Sequence, residues 1–396
     1  MMGRRAVLAS IFAAASGCSF VVPGFPVGTD GAVPDAALFV DAAHGAAFVP
    51  AHVPPNAVVP GASKLSDVRD IDTERLYIDG ATPMPGIVFS ADPGNDDWAV
   101  LSVHDLTITH DVLVHGRRAL IVVAVGSIEV GATMHAGADL RSPGPGGQRT
   151  GEGPGSDGKK SSTNDSGGGG AGHGTVGAVG GASASNSNGQ GGAGGIAYDD
   201  ELAGGSGGGT GSGAVGGDDP CPTNQGYSLG GAGGGVVQLS AGVSIDVLFA
   251  GIIEAGGGGG RAGCKESASA GGGGGAGGSL WLEAPTMNLA GKITANGGAG
   301  GSGGRANGSD SNDGQDGQDG QPSTTPAQGG QSPGMGGGAG GQGGVLGVAP
   351  TPGDKSTNGG GGGGAVGRIV LRTRTSSPIT SASTVISPAP EKSVDF

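Results

Sequence analysis

Aromatic side chains are nearly missing from this sequence: phenylalanine, tyrosine and tryptophan make up 3% of 396 residues, with two tryptophans in all. Charged residues are scarce too, at 14%. So little bulky apolar surface cannot fill the two or three cores that an enzyme of this length ordinarily builds. Basic residues number 20 against 34 acidic ones, for a net charge of −14, which excludes nucleic-acid binding by bulk electrostatics. No segment beyond the N-terminal region reaches the roughly 20 consecutive apolar residues of a membrane span. Cysteine is limited to three residues, and neither Cys221 nor Cys264 has a second Cys or His at zinc-motif spacing. In place of all these stands glycine, 95 residues, about a quarter of the chain against ~7% in ordinary proteins. Its spacing keeps no strict period of three, so collagen is excluded.

Residues 1–17 read as an export signal. Arg4 and Arg5 supply the positive end, Ala6 to Ala15 a short apolar run, and Ala15-Ser16-Gly17-Cys18 a set of small residues before a cysteine. That tetrapeptide resembles the bacterial lipobox, with Ala15 where Leu is usual. The resemblance implies cleavage before Cys18 and a diacylglycerol on its thiol, hence a membrane partner through a firm lipid anchor. Ser19, where an Asp is absent, implies an exported protein of the cell envelope sorted to the outer membrane. The other reading is an ordinary secretory signal with an incidental cysteine. In an oxidising envelope, Cys221 and Cys264 are candidates for one disulfide, against two unpaired thiols.

Residues 18–70 are rich in Ala, Val, Pro, Asp and Gly without sustained period, and read as a flexible tether. From Leu76 onward, short runs rich in Val, Ile, Leu and Thr predict strands at Leu76–Ile78, Gly86–Phe89, Trp98–Val103, Leu106–Thr109 and Val112–Val114. A repeat then becomes visible. Ala119–Ala124, Val236–Ala241, Ser279–Ala284 and Arg368–Thr373 align, and so do the segments after the first three of them. Alternation puts Leu120, Val237, Leu280 and Ile369 in one inward column and Val122, Leu239, Leu282 and Leu371 in the next. Ile128, Ile245 and Met287 form a third, and Val130, Val247 and Leu289 a fourth. Gln238, Ser240, Trp281, Glu283 and Arg372 fall on the opposite, outer face, where Trp281 is the one aromatic of the repeats. The expected fold is all-β: a parallel β-helix or β-solenoid-like strand stack over 71–375, each unit burying its neighbour's apolar face. Glycine-rich inserts at 138–234, 256–278 and 297–367 interrupt it. They lack the apolar surface to offset their ordering entropy, so they are expected to be mostly disordered, with polyglycine-II helices as the ordered alternative. Residues 376–396 read as a mobile Ser/Thr/Pro tail.

Motifs that carry chemistry are few. At this glycine content three fixed glycines arise by chance about once in 64 positions, so a GxGxxG match carries no information. The nearest phosphate-loop match, Gly153-x4-Gly158-Lys159-Lys160, has Lys where magnesium needs Ser or Thr. No nucleophile elbow stands in a strand-turn-helix context. The acidic loop 310–320 offers Asp310, Asn312 and Asp316 as oxygen ligands for calcium, against a plain solvated loop. Glu129, Asp246 and Asn288 form an outward polar column, about 4.8 Å apart if the strands pair in register. Such a column would take a cation or a sugar hydroxyl, or serve as a hydrated ladder.

The whole layout resembles the glycine-rich, myxobacterial-type surface lipoproteins. Cys18, the Asp/Ala/Pro tether, Leu106–Thr109, Leu120–Gly137 and the closing Gly367-Arg-Ile-Val-Leu-Arg-Thr373 carry the resemblance. No biochemical activity comes with it. The expected function is a structural or adhesive, interaction role at the bacterial surface without catalysis or a cofactor. Extracellular matrix or polysaccharide would be the partner, and nucleic acid would not. The alternative is a β-helix protein that binds or cleaves polysaccharide, with calcium as its ion.

Overall fold

The computed structural model describes residues 39–40, 47–48, 50–53, 61–149, 151, 153–160, 165–184, 190–199, 202–213, 228–264, 269–305, 313–374 and 378–393. All of them belong to one unit, Ala36–Phe396. β1 (Phe39–Val40) and β2 (Ala47–Phe48) form a separate antiparallel pair. The chain then passes through β3 (Leu65–Ser66), β4 (Asp70–Asp72), β5 (Tyr77–Ile78), β6 (Val88–Asp92) and β7 (Asn95–Val103). Next come β8 (Leu106–Ile108), β9 (Val112–His115), β10 (Ala119–Ala124), β11 (Ile128–Val130) and β12 (Thr133–His135). After the first insert follow β13 (Val236–Ala241), β14 (Ser244–Val247), β15 (Ile252–Glu254), β16 (Ser279–Ala284), β17 (Thr286–Leu289) and β18 (Lys292–Thr294). The last are β19 (Arg368–Thr373), β20 (Ile379–Thr380), β21 (Val385–Ser387) and β22 (Glu391–Ser393).

These strands build three mostly parallel sheets. The first has seven strands in the order β22-β19-β16-β13-β10-β7-β6, the second six, β20-β17-β14-β11-β8-β3, and the third seven, β21-β18-β15-β12-β9-β4-β5. Only the edge pairs β6–β7 and β4–β5 are antiparallel within them. The expected β-helix or β-solenoid-like stack is therefore corrected to a layered arrangement of three sheets, with no helix among the described residues. The repeat located the strand pairs, but not how the pairs are shared out among sheets or that antiparallel strands close two edges. The sheets also take in residues assigned from sequence to the tether and the tail, since β3 lies at 65–66 and β20 to β22 lie beyond 378.

Register within the sheets follows the inward columns. Leu120 pairs with Val237, Val237 with Leu280 and Leu280 with Ile369. Ile128, Ile245 and Met287 are likewise neighbours. One hydrophobic core collects these residues from all three sheets, with Leu106, Leu120, Ile128, Met134, Leu239 and Ile253 fully enclosed. At the bends, glycine is required by close approach: a Cβ on Gly291 would collide with the carbonyl oxygens of Gly251 and Leu248.

Where they are described, the glycine inserts are ordered, which corrects the expectation of disorder. Residues 271–278 donate backbone hydrogen bonds in rotation to three neighbouring segments, and Ser279 donates to a fourth. Gly271, Gly274 and Gly277 donate to Gly359, Gly362 and Ala365. Gly272, Gly275 and Gly278 donate to Arg261, Gly258 and Ala255. Gly273, Ala276 and Ser279 donate to Gly209, Ser206 and Gly235. All nine bonds span 2.8–3.0 Å. Over 271–278 every third residue meets the same neighbouring segment, the period of an extended helix with three residues per turn, and Ser279 changes partner where the strand begins. The ordering entropy is met by backbone hydrogen bonds in three directions rather than by apolar burial, a route that composition conceals. The methyls of Ala171, Ala276 and Ala365 meet in a small cluster inside this array.

Candidate functional site

The outer face of the first sheet carries a dense polar cluster. Register aligns Val100, Ile121, Gln238, Trp281 and Val370 in one row, and Ser102, Val123, Ser240, Glu283 and Arg372 in the next. From sequence these polar residues were placed outside, and they do point away from the main core. Yet Gln238, Ser240 and Glu283 are fully buried, because residues 50–53 lie across them as a strap. The Glu283 carboxylate accepts hydrogen bonds from Ala51 N at 2.8 Å, Ser240 Oγ at 2.6 Å, Gln238 Nε2 at 3.0 Å and Trp281 Nε1 at 3.2 Å. Its Oε2 also pairs with Arg372 at 2.7 Å. Gln238 Nε2 donates to Ala51 O, so side chains grip both main-chain polar groups of Ala51. A buried carboxylate is tolerable only when satisfied this completely.

His52 is the keystone of the strap. Its φ of 62° lies in the left-handed region, rare for a residue with a Cβ. The surroundings fix it there: its Nδ1 lies 2.9 Å from Gln238 Oε1. Its ring stands edge-on to Trp281 at 4.5 Å and to Trp98 at 5.9 Å. Both tryptophans of the chain thus flank one histidine, and Trp281 is not the sole aromatic on this face. Next to the strap, Val53, Val100, Ile121 and Val123 form a second, smaller apolar cluster with Trp98 and Leu202 at its margin.

An open groove of about 1040 Å³ begins at His52 and Trp98. Glu74, Asp97 and Arg117 supply its charged groups, His115 an imidazole, and Asn95 and Gln148 its amides. Arg117 is held by Asp96 at 2.5 Å and Asp97 at 3.3 Å, while Arg118 ties Asp96 to the Glu74 carbonyl oxygen. Hydrogen bonds from the two arginines hold the Asp96 carboxyl below the usual carboxylate range, ahead of a small opposing effect of burial. His115 Nε2 lies 3.0 Å from Asp70. Gly116 and Gly146 line the same groove at φ of 113° and 70°, where a side chain would be strained.

A second, smaller cavity of about 410 Å³ is lined by His135, Asp139, Glu254 and Asp319. His135 Nδ1 lies 2.7 Å from Glu254, and this hydrogen bond raises the imidazole pKa against the opposing effect of burial. Burial raises the pKa of Asp319, outweighing the hydrogen bonds it accepts from Gly259 N and Leu140 N.

The sites expected from sequence come out differently. Glu129, Asp246 and Asn288 are direct register neighbours on β11, β14 and β17, with Asp246 accepting from Ser244 Oγ. They border neither the groove nor the smaller cavity. Asp316 is engaged within the fold by Arg261 at 2.5 Å and by Ala262 N at 2.8 Å. Asp310, Asn312, Cys18 and Cys221 lie outside the described residues. Cys264 is buried and disulfide-bonded. Among the described residues no group of three or more His, Cys, Asp or Glu side chains is arranged to hold a metal ion. No described helix is long and apolar enough to cross a membrane.

The groove was missed from sequence because its residues come from separate turns: Glu74 after β4, Asn95 to Trp98 at the start of β7, and Gln148 in an insert. One signal was present. Residues 98–114 are a further copy of the repeat, since Leu101 pairs with Val122, Leu106 with Ile128 and Val112 with Met134. Recognising it would have placed Trp98 on the same face as Trp281. In comparison with known proteins, no family model, curated protein or solved structure matches this chain.

Proposed function

We propose that this chain is a structural or adhesive protein of the bacterial cell envelope, anchored by lipid at Cys18 and without catalytic activity. The observation that carries the reading is the construction of the inserts. Long glycine segments are folded into a backbone-bonded array continuous with the sheets, which extends the ordered body beyond its hydrophobic core. Such a body suits presenting a surface at a distance from a membrane. The likeness to glycine-rich surface lipoproteins and the Ala15-Ser16-Gly17-Cys18 run support the anchor.

The test has two arms. The mass and membrane partition of the mature N-terminus are compared between the wild type and Cys18→Ala. An acylated wild type and an unacylated, soluble variant are expected; an unmodified, soluble wild type would refute the anchor. Cells with and without the protein are then compared for attachment to matrix-coated surfaces. Equal attachment would refute the adhesive role.

A further inference from the structure

The groove beside the strap has features of a recognition site that the structural role alone does not call for. In a chain with two tryptophans, one lines this groove and the other stands against the histidine at its end. The indole of Trp98 is partly exposed and bounded by apolar neighbours at one side. It offers a flat apolar surface at the edge of a polar trench, the amphipathic arrangement in which aromatic side chains serve recognition. Opposite in character are Glu74, Asp97, Asn95 and Gln148, planar groups that accept or donate two hydrogen bonds side by side. Arg117 is already fixed by two aspartates, so the wall is pre-organised.

Size, openness and charge narrow the ligand. A volume of about 1040 Å³ stands at the top of the ~300–1,000 Å³ range for small-molecule sites. The groove is open rather than enclosed, so it suits a length of chain more than a single small molecule. Glu74 and Asp97 outnumber Arg117 among its permanent charges, and the whole protein carries −14. A polyanion would be repelled. A pyranose ring has an apolar C–H face that packs on an indole and an equatorial rim of hydroxyl pairs that match carboxylates and amides.

We propose that this groove binds a segment of an uncharged polysaccharide, with Trp98 under the face of one sugar ring and Glu74, Asp97 and Asn95 taking hydroxyls. The glycines at 116 and 146 keep the wall free of side chains, so that a flat chain reaches the backbone. This deepens the interaction role proposed above and rests on it, but not on the lipid anchor.

The experiment is a calorimetric and tryptophan-fluorescence titration of the full chain with neutral glucan, mannan and galactan oligosaccharides, and with an oligogalacturonate. Binding of at least one neutral glycan is expected, with at least tenfold weaker affinity for Trp98→Ala and a several-fold loss for Asp97→Asn. Trp98→Phe, which keeps a ring and guards against a simple folding defect, should retain most of the affinity. Three results would overturn the proposal: no neutral glycan binds, the oligogalacturonate binds best, or Trp98→Ala binds as wild type does. Cell attachment of the Trp98→Ala variant separates the two readings. If attachment persists while glycan binding is lost, adhesion runs through another surface and the groove is still a glycan site. If wild-type cells never attach, the adhesive role fails whatever the titration shows.

Discussion

Replacing Gly361 by alanine tests whether the glycine array is a packed structure. Gly361 N donates to Gly301 O at 2.8 Å, and Gly361 O accepts from Gly341 N at 2.8 Å. On its third side, a Cβ would run into the carbonyl oxygen and carbon of Gly272. Gly272 cannot retreat without disturbing its own bonds, to Arg261 O at 2.9 Å and from Gly301 N at 2.9 Å. Relief therefore costs two or so buried backbone hydrogen bonds, at about 1–3 kcal/mol for each group left unmet. Alanine recovers about 0.4–1 kcal/mol by restricting the unfolded chain. The net expectation is a loss of about 1–5 kcal/mol, or roughly 2–20 °C in melting temperature at about 2–4 °C per kcal/mol. Gly94→Ala is the control, since Gly94 is exposed and its added methyl would approach a single atom, the Asp92 Oδ1, at 3.2 Å. The assay is thermal unfolding followed by circular dichroism, together with amide exchange at Gly301 and Gly341. A Gly361→Ala protein that melts with the control and keeps slow exchange at both amides would refute the packed array.

Three further perturbations address the side chains. Glu283→Ala removes the acceptor shared by Arg372, Ser240, Gln238, Trp281 and the strap, and should cost about 3–5 kcal/mol. It should also open residues 50–53 to protease, and unchanged cleavage there would contradict the strap's attachment. His135, whose folded-state pKa is raised by Glu254, contributes stability that is complete below the usual imidazole value and is lost as pH rises through the folded one. Melting temperature should thus fall as pH rises above about 6.5 in the wild type, and less so in His135→Gln; identical slopes would count against the pair. Asp319 has a pKa raised by burial, so its share of stability declines as pH climbs above the ordinary 3.8 through the folded value. Asp319→Asn keeps the Oδ1 that accepts from Gly259 N and Leu140 N, and should flatten that decline. A steeper slope in the variant would reverse the sign of the argument.

Period-two alternation made the pairing legible. Because the side-chain period is two, a one-residue slip would turn every apolar residue outward, so Val122, Leu239, Leu282 and Leu371 had a single acceptable register. The sheet assignment was not legible, since the repeat does not state that successive strands of one copy enter different sheets. The same limit applied to the site. Alternation reports which face a side chain takes, not what covers that face, and so Gln238 and Glu283 read as surface while a strap 187 and 232 residues away in sequence buries them. Composition misled about the inserts for a related reason. Low hydrophobicity argues for disorder only where apolar burial is the available route to order, and glycine chains that bond in three directions have another.

The junctions between array and sheet explain where the glycine stops. Gly235, Gly278 and Gly367 each immediately precede a strand of the first sheet, and the array's bonding continues across them: Ser279 N donates to Gly235 O and Arg368 N to Gly278 O. Before the junction a chain has neighbours on three sides at backbone distance, and a Cβ on Gly278 or Gly367 would strike the chain beside it. After it, a strand has backbone neighbours on two sides, and the freed direction opens onto the core. Leu280 and Ile369, two residues beyond their glycines, are the first side chains to fill that space, and both are buried. The change from glycine to alternating Val, Ile and Leu is thus a change in the number of backbone neighbours. It lets one continuous hydrogen-bond register serve both halves of the body, with Gly361 in the array only seven residues ahead of the start of β19.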